Sequence, residues 1–293
     1  MFQKRVIALG VLGLLAALAL SLFTGCAAKK AKPGEAGATA LEYRLPPGKA
    51  VTYKNTQTSS QTLQVMGQYT NIDTKKAITF TIMPGEKKDV GQQFTVTVDS
   101  MEAGITTQQG DFSADAGPVL GKSFEMRLSP LGKESDITGA DVIQYSMGSA
   151  GTRSIKPDFQ ALFPDLAGKP LKVGDTWTTT DTTDIDDSGM KLTIAIENLN
   201  TFEGYEDVGG LRCARIGTVS KGTVKGEGEQ QGMKVALEGT MDGTDVWFFA
   251  PDPGLLAKMT SDVSMAGTVV VGGPQGMSIP MKQQMKNETV LIK

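Results

Sequence analysis

The chain contains no histidine, only two cysteines and only 6% aromatic residues. Without histidine there is no Ser-His-Asp or Cys-His nucleophile pair, no imidazole general base and no histidine metal ligand. Most familiar hydrolase chemistry is excluded with them. An excess of charge of one sign is also missing. The 29 basic and 32 acidic residues leave a net −3, so no long-range field draws in nucleic acid, and none is expected as a partner. No P-loop, dinucleotide fingerprint, CxxC pair or GxSxG elbow occurs, and no cofactor is expected. What the sequence does have is a globular share of apolar residues and 35 glycines, well above the usual usage of about 7%.

Lys4 and Arg5 precede an uncharged apolar run from Val6 to Leu20, which is a secretory signal pattern. The run closes on Ser21, Leu22, Phe23, Thr24, Gly25 and Cys26. These residues resemble the lipobox of bacterial lipoproteins, with Phe23 where leucine is usual. The resemblance implies cleavage before Cys26, lipidation of Cys26 and attachment to a membrane through the anchor. Several acyl chains are needed for stable residence, because each buried methylene contributes only about 0.8 kcal/mol. Ala27, rather than aspartate, follows the cysteine, which by the same resemblance implies the outer membrane. The expected organisation is a signal peptide over 1–25, then the lipidated cysteine and a flexible tether over 26–40. An N-terminal β half over 41–150 and a C-terminal β half over 151–293 follow. Cys213 would be the one thiol left, with no disulfide partner; alternating with Leu211, it reads as a small buried strand residue.

Beyond residue 40 the rhythm is period two: Ile78, Phe80 and Ile82; Phe94, Val96 and Val98; Phe124, Met126 and Leu128; Leu192, Ile194 and Ile196; Met233, Val235 and Leu237. One apolar and one polar face suit antiparallel strands with a single wet side. Turn-forming segments such as MPGEKKDVG, EGYEDVGG, MDGTD and PDPG separate them. The fold class is therefore mainly β, a long curved antiparallel sheet or half-open barrel. The echo of Leu45 to Thr52 in Leu171 to Thr178 leaves open two related halves or one continuous sheet. One short helix is expected from Pro157 to Phe163, where Phe159, Leu162, Phe163 and Leu166 fall at helical spacing. The stretches LQVMGQ (63–68), LSPLGKESDITG (128–139) and FPDLAGKPLKVGDTW (163–177) resemble a family of uncharacterised β-rich bacterial envelope lipoproteins. That resemblance spans most of residues 43–293 and implies no activity.

Candidate chemistry is sparse. Asp184, Asp186, Ser188 and Gly189 occupy positions 1, 3, 5 and 6 of an EF-hand loop, where alternate oxygens converge on calcium. Ala195 stands at position 12 in place of the bidentate glutamate, so a solvated hairpin loop is the plainer expectation and an irregular metal site the alternative. Glu125, Glu197 and Glu238 are strand carboxylates from which a hydrolytic pair could be drawn. The aromatic residues Phe159, Phe163, Trp177 and Trp247 either close the core or face a ligand. Methionines, 14 in all, suit irregular apolar packing. The functional expectation is a lipid-anchored, outer-membrane protein that is not an enzyme and binds a hydrophobic, lipid-like ligand or a protein partner. An envelope assembly module is the first alternative and a carboxylate-dependent hydrolase the second.

Overall fold

The structure is a computed structural model that describes residues 38–292, apart from 89–90, 149–150, 188, 231 and 273–275. Its body is one large antiparallel sheet. The N-terminal strands are β1 (Val51–Val65), β2 (Gln68–Lys88), β3 (Gly91–Thr107), β4 (Gly110–Ser113), β5 (Ser123–Leu128) and β6 (Glu134–Thr138). A small hairpin follows, β7 (Gln144–Ser146) with β8 (Thr152–Ser154). The C-terminal strands are β9 (Thr176–Asp187), β10 (Met190–Val208), β11 (Leu211–Gln230), β12 (Met233–Ala250), β13 (Leu255–Val271) and β14 (Met277–Leu291).

The spatial order is β6-β5-β3-β2-β1-β14-β13-β12-β11-β10-β9, with β4 beside β3. The first and last strands are thus neighbours at the centre, paired in register from Tyr53↔Leu291 to Leu63↔Met281. The strands of both halves belong to one continuous sheet. Its two edges, β6 and β9, do not pair with each other, and the chain that connects them runs through residues 139–175.

The alternating pattern explains the strands and their register. Along β1, burial alternates from Val51 and Tyr53 through Asn55, Gln57, Ser59 and Gln61 to Leu63, with the intervening side chains facing out. A shift of one residue would expose the whole set, which is why register is tightly specified. The β1–β2 hairpin closes at Val65↔Gln68 through Met66 and Gly67, both at positive φ (53° and 81°). A two-residue turn with that handedness matches the twist of the flanking strands. Register shifts in the β2–β3, β10–β11 and β12–β13 pairings, at Thr79/Phe80, Phe202/Gly204 and Phe248/Phe249, all fall towards the aromatic end. Bulges bend and twist the strands that carry them.

That end is filled by the chain itself. Tyr43 meets Phe163 and Phe249 edge-on, Tyr53 lies over Phe80, and Phe159 packs against Phe80 and Phe124 with centroids 5.0 and 4.7 Å apart. The opposite end is aliphatic, with Leu63, Val224, Val235, Leu237, Val269 and Ile279 buried. Cys213 is fully buried, and burial pushes its thiol up to about 11.

The expected helix from Pro157 to Phe163 is corrected to a 3-10 turn over Lys156–Phe159. Gln160 is already extended and Ala161 has a φ of 58°. Pro164 biases Phe163 away from helical conformation, and the Phe163 N–H donates to Glu134 Oε1 at 2.7 Å instead of to a helical carbonyl.

Candidate functional site

Two arrangements carry chemistry. The first is the seam between the sheet edges, where the 139–175 connection lies against both. Gly132, in the turn between β5 and β6, has a φ of 103°, and a Cβ there would stand 2.5 Å from the Pro164 carbonyl oxygen. Only glycine lets the two backbones come so close. Lys133 reaches across the seam, with Nζ 2.9 Å from Asp181 Oδ1 on β9 and 3.6 Å from Asp165 Oδ2 in the connection. Trp177 Nε1–H donates to the Asp165 carbonyl at 3.4 Å. Segments 128–139 and 163–177, two of those that carry the lipoprotein resemblance, are therefore brought face to face.

A cleft of about 550 Å³ opens at this seam, lined among others by Lys133, Glu134, Asp136, Asp165, Asp181 and Asp184. Burial pushes Glu134 up to about 8, with the charge of Asp165 adding to it against the Phe163 N–H, which favours the ionised form. Burial and then Asp181 raise Asp165 to about 6, while Lys133 opposes the shift. Glu134 is thus a neutral acid at pH 7, and it pins Phe163 to the edge strand.

The second arrangement is a transverse row across the interior face. Register places Asn200, Thr218, Asp245, Ser261, Asn287, Gln57 and Lys76 directly opposite one another on β10, β11, β12, β13, β14, β1 and β2. Around it Asn55, Ser59, Gln61, Thr74, Ser220, Gln283 and Thr289 are also buried. A polar belt therefore separates the aromatic end of the interior from the aliphatic end.

Part of the belt is self-satisfied. Asn55 Nδ2 donates to Asn287 Oδ1 and to Thr289 Oγ1, each at 2.9 Å. Thr218 donates to Asn200 Oδ1 at 2.7 Å and accepts from Trp247 Nε1 at 3.0 Å. Lys76 pairs with Asp158 on the 3-10 turn. Burial lowers the Lys76 pKa, but the charge of Asp158, the Tyr145 side chain and the hydrogen bond to Asp158 together outweigh it, and the net shift is upward. Asp245 is 4% exposed. Burial raises its carboxyl far above the ordinary range, and hydrogen bonds from Ser261 and Ser220 only partly offset this.

The sequence-predicted residues fall differently. Phe159, Phe163, Trp177 and Trp247 are all buried. The first two lie in the aromatic cluster, and the tryptophans meet edge-on at 6.0 Å; the contacts of all four rings are with the protein's own core. Asp184 and Asp186 are exposed residues of strand β9, on the face opposite Ile185. They do not belong to a loop of the calcium-binding kind, because β9 pairs with β10 through this stretch. Asp184 Oδ1 accepts from Thr193 at 2.7 Å. No group of three or more carboxylate or thiol residues able to hold a metal occurs among the described residues. Cys26 and Ser188 lie outside the described residues. Glu125, Glu197 and Glu238 are exposed on the outer face, two of them engaged with Gln93 and Lys225.

Sequence reasoning missed Glu134, Asp165 and the polar belt. The belt had a signal, since Asn55, Gln57, Ser59 and Gln61 keep the inward phase set by Tyr53 and Leu63. The seam had none, because its partners are brought together only by the sheet edges.

No protein-family model matches the chain, and neither does any curated protein. Among solved structures, the chain is similar to the β domain of the Bordetella autotransporter BrkA, at 10% identity and TM-score 0.24, covering 83% of this chain and 100% of that one. It is also similar to Pseudomonas aeruginosa OccK2, at 6% identity and TM-score 0.22, covering 84% and 99%. The translocator domain of NalP from Neisseria meningitidis matches at 7% identity and TM-score 0.22, covering 82% and 88%. At scores this low the likeness carries no inference about function. No helix among the described residues is long and apolar enough to cross a membrane, which says nothing of strands.

Proposed function

We propose that the protein is a lipid-anchored, non-enzymatic binding protein of the bacterial cell envelope. Its ligand is held inside the unclosed sheet and enters at the seam. The observation that carries this reading is the buried polar belt, set in a sheet whose edges are joined by side chains and a connecting segment, not by a hydrogen-bonded ladder. An assembly module with a purely structural interior would be served better by apolar packing, since polar groups that stay unpaired in a core are costly. The belt also moves the expected ligand away from a lipid-like one. The apolar ends of the interior are occupied by the protein's own side chains, and the centre offers amides and hydroxyls.

The lipobox-like segment ending at Cys26 supports the anchor and an outer-membrane location. The chain enters the fold at the aromatic end, where Tyr43 and Arg44 bond to Pro130 and Gly254. The tether from Cys26 to Tyr43 spans at most about 60 Å when extended, and it leads into the fold at the aromatic end, which is therefore the end tied nearest to the lipid.

Native mass spectrometry of the mature protein, released in mild detergent from its own envelope, tests the binding role. A discrete non-covalent adduct is expected, and an apo mass under every mild condition would overturn it. Cys26→Ser tests the anchor: unprocessed precursor without acyl mass is expected, whereas normal processing and acylation would refute it.

A further inference from the structure

We infer that the interior belt is a binding surface for a neutral, hydroxyl-rich ligand with the chemistry of a saccharide. The inference rests on the binding role proposed above and names the class of ligand. It starts from hydrogen-bonding capacity that the protein leaves unused.

Gln57 on β1 is 1% exposed, and neither atom of its amide has a partner. Gln61, four residues along on the same face and equally buried, leaves its Oε1 unpartnered. Asp245 Oδ1, on β12 in the same transverse row as Gln57, is also unpartnered. Leaving such a group unpaired away from water is costly, and native interiors hold few of them.

The neighbours show that this is not a general failure of the interior to pair. Asn55 and Thr218, on the same strands or the next, make two hydrogen bonds each. Capacity is left over at Gln57, Gln61 and Asp245, and a bound molecule would supply the missing partners.

The chemistry of those partners can be read from the groups. An amide with both atoms free needs a donor and an acceptor side by side, which adjacent hydroxyls provide. In the belt Lys76 is paired with Asp158, and burial favours the neutral form of Asp245, in which it too can donate. Trp247, two residues from Asp245 on the same face of β12, adds an apolar ring beside the polar groups. Amides, a carboxyl group, hydroxyls and an aromatic ring together match a sugar's mixture of hydroxyl edge and apolar face. The unpartnered atoms are closed to solvent in this structure, so binding requires the walls to separate. The seam is where they are joined by side chains and the 139–175 connection, with no strand ladder between the edges.

The test uses the full mature protein in detergent, with maltose, cellobiose and the N-acetylglucosamine disaccharide as probes. Saturable thermal stabilisation and a calorimetric isotherm are expected with at least one of them. The double variant Gln57→Leu/Gln61→Leu should fold with an unchanged or higher Tm, because it removes unmet polar groups, and should bind at least tenfold more weakly. Wild-type affinity in that folded variant would overturn the assignment. If the double variant does not fold, Gln57→Met alone provides the same comparison. Failure of all three probes, while native mass spectrometry still shows an envelope-derived adduct, would overturn the saccharide class and leave the binding role standing. Failure of the probes together with a clean apo mass would overturn both.

Discussion

The N- and C-terminal halves of this sheet meet twice, and the two junctions differ in kind. At β1–β14 they are joined by consecutive registered backbone pairs from Tyr53↔Leu291 to Leu63↔Met281. At β6 and β9 they are joined by Lys133, by the Glu134 contact with Phe163 and by a connecting segment wedged between the edges. The first junction contains no group whose charge state holds it. The second depends on carboxyls that titrate near neutrality. One sheet can therefore be permanent along one line and separable along another, and a cover over an edge strand also protects that edge from pairing with other chains.

The β1–β14 ladder is the firmer of the two junctions. Met285→Pro, in the middle of β14 with partners on both sides, removes a backbone donor and should cost about 3 kcal/mol or more. Loss of the cooperative melt by circular dichroism is expected; a near-wild-type Tm would show that the halves do not rely on this pairing.

Next in size is the titration of Glu134. Its carboxyl ionises near 4.5 when unfolded and near 8 when folded. Between those values the native state holds a proton that the unfolded chain has lost. Stability therefore falls as pH rises through that window, by about 1.4 kcal/mol per unit at most. Glu134→Gln should flatten this slope, gaining up to a few kcal/mol at pH 8 and nothing at pH 4. Parallel pH-stability curves for the two proteins would refute this role of the Glu134 carboxyl.

Gly132→Ala attacks the same seam sterically. The added Cβ conflicts with the Pro164 carbonyl and with the required φ, costing about 1–3 kcal/mol. Hydrogen exchange should accelerate in 156–166 and in β6 while β1 and β14 stay protected. Uniform acceleration would mean that the two junctions open together. The smallest effect belongs to Lys133→Ala. Its side chain is 61% exposed, so the loss should be below about 1 kcal/mol and shrink with added salt. A larger, salt-independent loss would show that the bridge is buried in solution.

Much of the fold was legible in the residues. The period-two runs around Ile78, Phe94, Phe124 and Leu192 are strands with those side chains inward, and the turns after Val208 and Ala250 fall at glycine-bearing segments; MDGTD (241–245), expected as a turn, instead lies inside β12, held extended by pairing with β11 and β13. The helix over Pro157–Phe163 was overdrawn because helical spacing of Phe159, Leu162 and Phe163 ignores what Pro164 and the Glu134 acceptor do to the backbone. The Asp184 and Asp186 pair looked like a loop because acidic and small residues are common in turns, yet pairing with β10 held it extended.

By itself the sequence determined which side chains face inward, because alternation ties side-chain direction to the strand. It also determined that histidine-dependent chemistry is absent. Only the tertiary structure decided which inward residues lie level with one another. Register across many strands turned separate polar positions such as Gln57, Asp245 and Asn200 into one belt. Meeting of the edges turned Lys133, Glu134 and Asp165 into one seam. Both are relations between distant segments, set by backbone pairing and shape, and no local pattern encodes them.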